Sequence, residues 1–202
     1  MRRSQRARKR PIIRWLKSYG YRVFVLDRDK ELTFTDQHRY QIPSEAEDLT
    51  GRIPIKERIH YLEHADFFVG LPSGLSWLAW NCNIPVVMIS GFTMDGSEFP
   101  TPYRVTNFLF CHGCWNDTHL FFDSKAPVWC PRHVGTPREI ECTKTITPKM
   151  VQETIMRIPA FQKHVSKLME KELLDGFRAQ TKPGDVSTLI AFPPRSQKKK
   201  LR

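Results

Sequence analysis

An open α/β domain built on a few parallel strands is predicted by three features of the 202-residue chain. Short, nearly all-apolar runs alternate with stretches of helical period, as when helices cover both faces of a parallel sheet. Composition is that of a folded protein, 40% hydrophobic and 26% charged, too apolar for a disordered one. The charge is also unevenly placed. Of the +11 net charge, six cations lie in the first ten residues (Arg2, Arg3, Arg6, Arg8, Lys9, Arg10) and five at the end (Arg195, Lys198, Lys199, Lys200, Arg202). Setting these eleven aside leaves 21 basic residues against 21 acidic, a neutral body between two basic tails at 1–10 and 179–202. The body shows no nucleic-acid-reading module, so specific nucleic-acid binding is not expected. There is no run of about eighteen apolar residues and no apolar leader after the basic start, which points to a cytoplasmic protein without a membrane span.

The first helix is expected near residues 11 to 19, where Ile12, Trp15, Leu16 and Tyr19 share a face and Gly20 ends it. Tyr21 to Asp27 is a strand by its aromatic and β-branched content. A polar stretch follows to about Gly51. Pro54 opens a helix lined by Ile55, Ile59 and Leu62. Asp66 to Gly70 is a buried strand, Leu71-Pro72-Ser73-Gly74 a turn, and Leu75, Leu78, Ala79 and Cys82 the stripe of the next helix. Ile84 to Gly91 is a third strand, with Pro85 tolerated only at its start. Residues 92 to 147, rich in Pro, Cys and aromatics, have no helical period, and so long a loop must pack on the core or be cross-linked. Thr147-Pro148 caps a helix containing Val151, Ile155 and Ile158, which Pro159 breaks or kinks. Phe161, Val165, Leu168, Met169 and Leu173 continue beyond it, and Val186 to Phe192 is a candidate edge strand.

Four of the five cysteines form a pattern: Cys111-His112-Gly113-Cys114, fifteen residues to Cys130, then eleven to Cys142. A Cys-x-x-Cys knuckle places two thiolates on one turn, and two later cysteines complete a tetrahedral sulfur set suited to zinc or a single iron. His112, His119 and His133 are possible substitute ligands. A redox Cys-x-x-Cys or paired disulfides are the alternatives, the latter disfavoured in a reducing compartment. Cys82 is read as a buried apolar residue.

The turn Gly70-Leu71-Pro72-Ser73-Gly74-Leu75-Ser76 joins a strand to a helix whose first N–H groups are free for a phosphate or diphosphate. It lacks the GxGxxG spacing and a P-loop lysine, so glycine here also serves simple turn geometry. Asp27 ends its strand like an acid that accepts a ribose hydroxyl, or it caps locally.

The runs from His64 to Trp80, Ile84 to Thr93 and Glu98 to Val105, with Cys111 to Asp117 and Trp129 to His133, resemble the bacterial autotransporter heptosyltransferases over about residues 11 to 160. That resemblance implies the carboxyl-terminal, Rossmann-like lobe of a GT-B glycosyltransferase. It spans about residues 11 to 178, with a metal finger inserted at about 92 to 147. It implies transfer of heptose from ADP-heptose to serine hydroxyls of an autotransporter adhesin passenger before export, and assembly into homo-oligomeric rings. Ser73, Gly74 and Ser76 match the loop facing the donor diphosphate; Thr93, Glu98, Thr101, Tyr103 and Arg104 match the stretch beside the donor pocket. Cys111, Cys114, Cys130 and Cys142 match the ligands of one structural iron, zinc being the alternative from chemistry alone. Arg104 suits a phosphate physically, its competing role being a structural ion pair. The match begins inside the carboxyl-terminal lobe. The expectation is therefore an incomplete chain lacking the acceptor lobe and its catalytic aspartate, so no catalytic residue is assigned. Pro72 removes one N–H donor from the loop. The alternative is a metal-stabilised nucleotide-binding or protein-interaction module without catalysis.

Overall fold

The computed structural model describes residues 6–28, 42–122 and 130–180. The expected strand at 186–192 lies outside them. Two compact units divide the chain between Val165 and Ser166. The first holds every described strand; the second, among the described residues, is the continuation of the last helix, where Met169, Leu173 and Leu174 are exposed rather than packed.

Helix α1 runs Arg6–Ser18, so residues expected as a basic tail continue the helix toward its N-terminus, with Pro11 inside it. Its apolar face buries Ile13 and Leu16, and Trp15 stacks on Phe161 at 5.2 Å between ring centres. Strand β1 (Phe24–Asp27) pairs in parallel with β2 (Glu47–Thr50), Phe24 opposite Glu47 and Asp27 opposite Thr50. β2 lies within the stretch to about Gly51 that the sequence marks only as polar. Its sequence, EDLT, exposes both acids and buries only Thr50, a pattern with no apolar run to betray a strand.

Helix α2 (Ile55–Glu63) buries Arg58 and Leu62 and leaves Ile55 exposed, so the apolar stripe is rotated from the one the isoleucines suggest. Strand β3 (Phe68–Gly70), helix α3 (Gly74–Asn81) and strand β4 (Val86–Ile89) follow as a parallel β-α-β unit. Strand β5 (Arg104–Val105) adds to β4, again in parallel, with Met88 opposite both Gly70 and Arg104. The sheet orders are β1-β2 and β3-β4-β5. After β5 come α4 (Glu141–Lys144), α5 (Pro148–Ile155) and α6 (Pro159–Gln180). The α5 start is as the sequence predicts: Thr147 Oγ1 accepts the Met150 N–H at 3.3 Å with Pro148 in the first turn. Pro159 opens α6.

Strand alternation sorts the core into two layers. Val87 and Val105 face Leu16 of α1, Val151 and Ile155 of α5, and Phe161 of α6. Val86 and Met88 face Leu62 of α2 and Ala79 of α3. Both faces of β4 are thus covered, as its unbroken apolar run requires. Among the described residues no helix is long and apolar enough to cross a membrane.

Candidate functional site

Open parallel sheets place ligands beyond the C-terminal ends of their strands; Ser73, Gly74, Thr93 and Glu98 follow β3 and β4, whereas Thr101 and Tyr103 lie ahead of β5. At the end of β3, Ser73 caps α3 in an extended conformation and its hydroxyl makes no capping bond. The first α3 N–H groups therefore face outward without a side-chain acceptor. Ser76 behaves differently. It is fully buried and its hydroxyl donates to the Leu71 carbonyl, so it holds the turn rather than facing solvent.

Ser73 and Gly74 form one wall of an open groove of about 1140 Å³. Arg28 and Arg52, just past β1 and β2, and Arg58 of α2 also line it. Arg58 was not identified from sequence. Its Nη2 donates to the Asp27 carbonyl at 2.9 Å and the Gly51 carbonyl at 2.5 Å, tying off both strand ends. Nη1 is buried with no partner among the described residues. An arginine at the buried position of an amphipathic helix was the available signal, hidden by the neighbouring isoleucines. Asp27 accepts the Arg28 N–H at 2.6 Å, in keeping with local capping.

Thr93, Glu98 and Arg104 form a second group at the ends of β4 and β5. The Arg104 guanidinium donates to Ser90 Oγ at 2.7 Å and pairs with Glu98 at 2.8 Å and Asp95 at 2.7 Å. The Glu98 side chain is 5% exposed and that of Asp95 84%, so the Glu98 pair is the one whose loss leaves a buried charge. Ser90 also donates to the Thr93 carbonyl at 2.9 Å. Ser90 and Asp95 thus join a cluster that sequence reasoning had assembled without them. Thr101 donates to the Val86 carbonyl at 2.7 Å and accepts the Tyr103 N–H at 3.2 Å, steering the chain into β5. Arg104 is not among the residues lining the groove with Ser73 and Gly74. Their strands are two apart at one register level, a spacing of about 10 Å.

The cysteine segment hangs from the same strand end. Gly113, at φ 72°, takes the left-handed conformation that turns the chain into the 3₁₀ turn Cys114–Asn116. Its N–H donates to the Gly91 carbonyl at 2.8 Å, and that of Trp115 to Phe92 at 3.0 Å, docking the knuckle just past β4. A Cβ on Gly91 would sit 2.5 Å from the Cys142 carbonyl oxygen, so only glycine lets α4 approach here. Cys114, Cys130 and Cys142 are buried and none of the four thiols is in a disulfide. Burial, with Cys111 alongside, pushes the Cys114 thiol up to about 11. Burial likewise raises Cys142, with Cys130 and Cys111 near enough to add to it.

The thiols share a neighbourhood but not a closed ligand set. Among the described residues no group of three or more Cys, His, Asp or Glu side chains is gathered closely enough to hold an ion. The four thiols are thus not drawn into a closed set among the described residues, and the reason is physical. Neutral thiols attract one another weakly and take local partners: Cys130 Sγ accepts the Ile140 N–H at 3.2 Å, and Cys142 Sγ lies 3.8 Å from Thr143 Oγ1. His112 and His119 are engaged with the Phe110 carbonyl and Asp117. The donor chemistry nevertheless fits a thiophilic metal: four thiols, three buried, with no competing disulfide. Cys82, at the end of α3, is half-buried and its thiol is raised by burial, as for an inert apolar residue.

Parallel strands, helices on both faces and a groove at the strand ends define a Rossmann-like lobe of the GT-B type. No protein-family model matches the chain. It is 52% identical over 149 residues to the autotransporter heptosyltransferase TibC of Escherichia coli O78:H11, covering 73% of this chain and 36% of TibC. It is 40% identical over 150 residues to the inactive autotransporter heptosyltransferase BimC of Burkholderia thailandensis, covering 74% of this chain and 35% of BimC. The crystal structure of dodecameric, iron-containing TibC in complex with ADP-D-β-D-heptose superposes with a TM-score of 0.73 at 45% identity, covering 82% of this chain and 44% of TibC. In sequence and in structure the chain matches the bacterial autotransporter heptosyltransferase family. It spans just over a third of the length of the curated relatives it matches.

Proposed function

We propose that this chain is the ADP-heptose-binding lobe of a cytoplasmic heptosyltransferase that modifies serine hydroxyls of an autotransporter adhesin. The observation that carries the reading is the groove at the strand ends, lined by the α3 N-terminus and by the exposed Arg28 and Arg52. Free N–H groups and guanidinium donors both favour a diphosphate. The solved TibC complex with ADP-D-β-D-heptose supports the nucleotide sugar as the occupant.

In this reading Ser73 and Gly74 receive the diphosphate and Ser76 fixes their turn. Thr93, Glu98, Thr101, Tyr103 and Arg104 form the wall at β4 and β5, with Arg104 the residue there that reaches a phosphate. Cys111, Cys114, Cys130 and Cys142 hold one structural iron, as the iron-containing TibC structure supports, and four protein ligands leave no open position for substrate. A homo-oligomer is the proposed assembly. The general base and the acceptor surface come from a complementary lobe, since proximity and base catalysis both require one.

Mass spectrometry of an adhesin passenger incubated with ADP-heptose tests this. The expected result is no added heptose with the 202-residue chain alone and addition when an acceptor lobe is supplied. Transfer by the chain alone would show that the base lies within it. The second reading, a binding module without catalysis, is favoured by the existence of BimC, a relative described as inactive; binding of ADP with no transfer under either condition would select it.

A further inference from the structure

We propose that His60 and His64 of α2 form a surface site for a divalent cation that prefers nitrogen ligands, such as zinc or nickel. His60 stands in the last turn of the helix and His64 caps its C-terminus. Four residues apart, they share one face, and both side chains are exposed. Their ring centres lie 4.6 Å apart, with the planes inclined at 58°. Two imidazoles at this spacing are the pair with which a single helix holds zinc. The run His60-Tyr61-Leu62-Glu63-His64 also has the His-x-x-Glu-His order of one class of zinc hydrolases.

A hydrogen bond makes His64 ready to bind. Its Nδ1 lies 2.8 Å from the His60 carbonyl oxygen. A carbonyl only accepts, so Nδ1 carries the proton and, in the neutral ring, Nε2 carries the lone pair. Metal-ligating histidines are oriented in this way, by giving the other ring N–H to a backbone carbonyl. The bond also holds the His64 ring beside that of His60 before any ion arrives, so little rotamer freedom is left to lose. The electrostatics agree. A helix C-terminus carries partial negative charge, which favours a cation, and the exposed Glu63 between the two histidines adds to it.

The donor set fixes the class of ion. Imidazole nitrogen suits zinc, nickel and copper, whereas magnesium and calcium take oxygen. Among the described residues no group of three or more His, Cys, Asp or Glu is gathered for an ion, so the pair supplies two ligands and water the rest. This makes a binding site, and no hydrolytic step is assigned to Glu63. Neither histidine lines the groove beside Ser73 and Gly74, and neither belongs to the cysteine segment. An ion bridging the two rings staples the end of α2, the helix whose Arg58 ties off β1 and β2. Binding the folded chain in preference to the unfolded one raises stability.

Nickel chloride is the probe, titrated into the full chain while the imidazole nitrogens of its seven histidines are followed by long-range proton–nitrogen NMR. The paramagnetic ion should broaden His60 and His64 together, and before His112, His119, His133 and His164. Magnesium chloride at the same concentration should shift neither. In the His60→Gln chain, broadening His64 should take at least about tenfold more nickel, because a second ligand on the same helix acts at high effective concentration. His64→Gln should do the same to His60. Without metal both variants should melt with the natural chain, since the side chains are exposed. Nickel should raise the melting temperature of the natural chain more than that of the double variant. The proposal is overturned if either histidine binds nickel as well alone as beside its partner. It is equally overturned if the histidines of the cysteine segment broaden first, or if nickel shifts the melting of the natural chain and the double variant equally.

Discussion

At Arg104 two roles compete, and single residues can separate them. A guanidinium paired to the buried Glu98 is part of the folded scaffold, so Arg104→Met should cost about 3–5 kcal/mol by leaving that carboxylate unpaired. Glu98→Gln in the same background should recover much of it, as read by urea denaturation. A full loss of ADP affinity with unchanged stability would instead make Arg104 purely a ligand contact. Gly91→Ala forces a Cβ onto the Cys142 carbonyl and should destabilise by about 1–3 kcal/mol in the same assay. Tyr21 sets a pH limit. Burial, then the neighbouring Asp66 carboxylate, raises its phenol above the usual value of 10.0, so the unfolded chain loses this proton at lower pH than the folded one. Its contribution to stability is therefore intact below about pH 10 and is lost as pH rises from there through the raised value of the folded phenol. Tyr21→Phe should flatten this alkaline fall in melting temperature. None of these pairings was legible in sequence, because Ser90, Asp95 and Asp66 gain their roles only from strand register and loop closure.

Elements were legible where an apolar period ran long enough to register. β1, β3, β4, α3 and α5 lie within the segments expected from their runs, and the Thr147-Pro148 cap marks the start of α5. β2 and β5 were not, because a four-residue acidic strand and a two-residue strand after Pro102 carry no period. α1 extends back through a run of arginines ahead of Pro11, while its buried residues, Ile13 and Leu16, lie after it. The cysteine finger was legible as ligand chemistry but not as geometry, since an ion is what would draw four neutral thiols together. Anaerobically purified protein should contain about one iron per chain by elemental analysis, consistent with a tetrathiolate site. Alanine at Cys111, Cys114, Cys130 or Cys142 should abolish it and loosen the segment between β4 and α5, while Cys82→Ala should leave it intact. Zinc in place of iron would keep the site and change its metal.

For the molecule as a whole, the +11 charge misleads if it is read as a nucleic-acid surface. What matters is where a few cations stand: Arg28 and Arg52 line one groove together with a helix N-terminus. Gly74 offers a clean probe of that groove, because nothing lies within 4 Å of a Cβ added there. An acid in the first turn of a helix is itself favourable, by about 0.3–1 kcal/mol, so Gly74→Asp should fold at least as well as the natural chain. It would nevertheless set a carboxylate where the diphosphate is proposed to sit. Titration calorimetry of ADP into the 202-residue chain and its Gly74→Asp variant is the most direct test. The account predicts saturable one-site binding by the natural chain, weakened by salt, and at least about tenfold weaker binding by a variant of unchanged melting temperature. Equal affinity in the two proteins, or no binding of ADP by the natural chain, would contradict it.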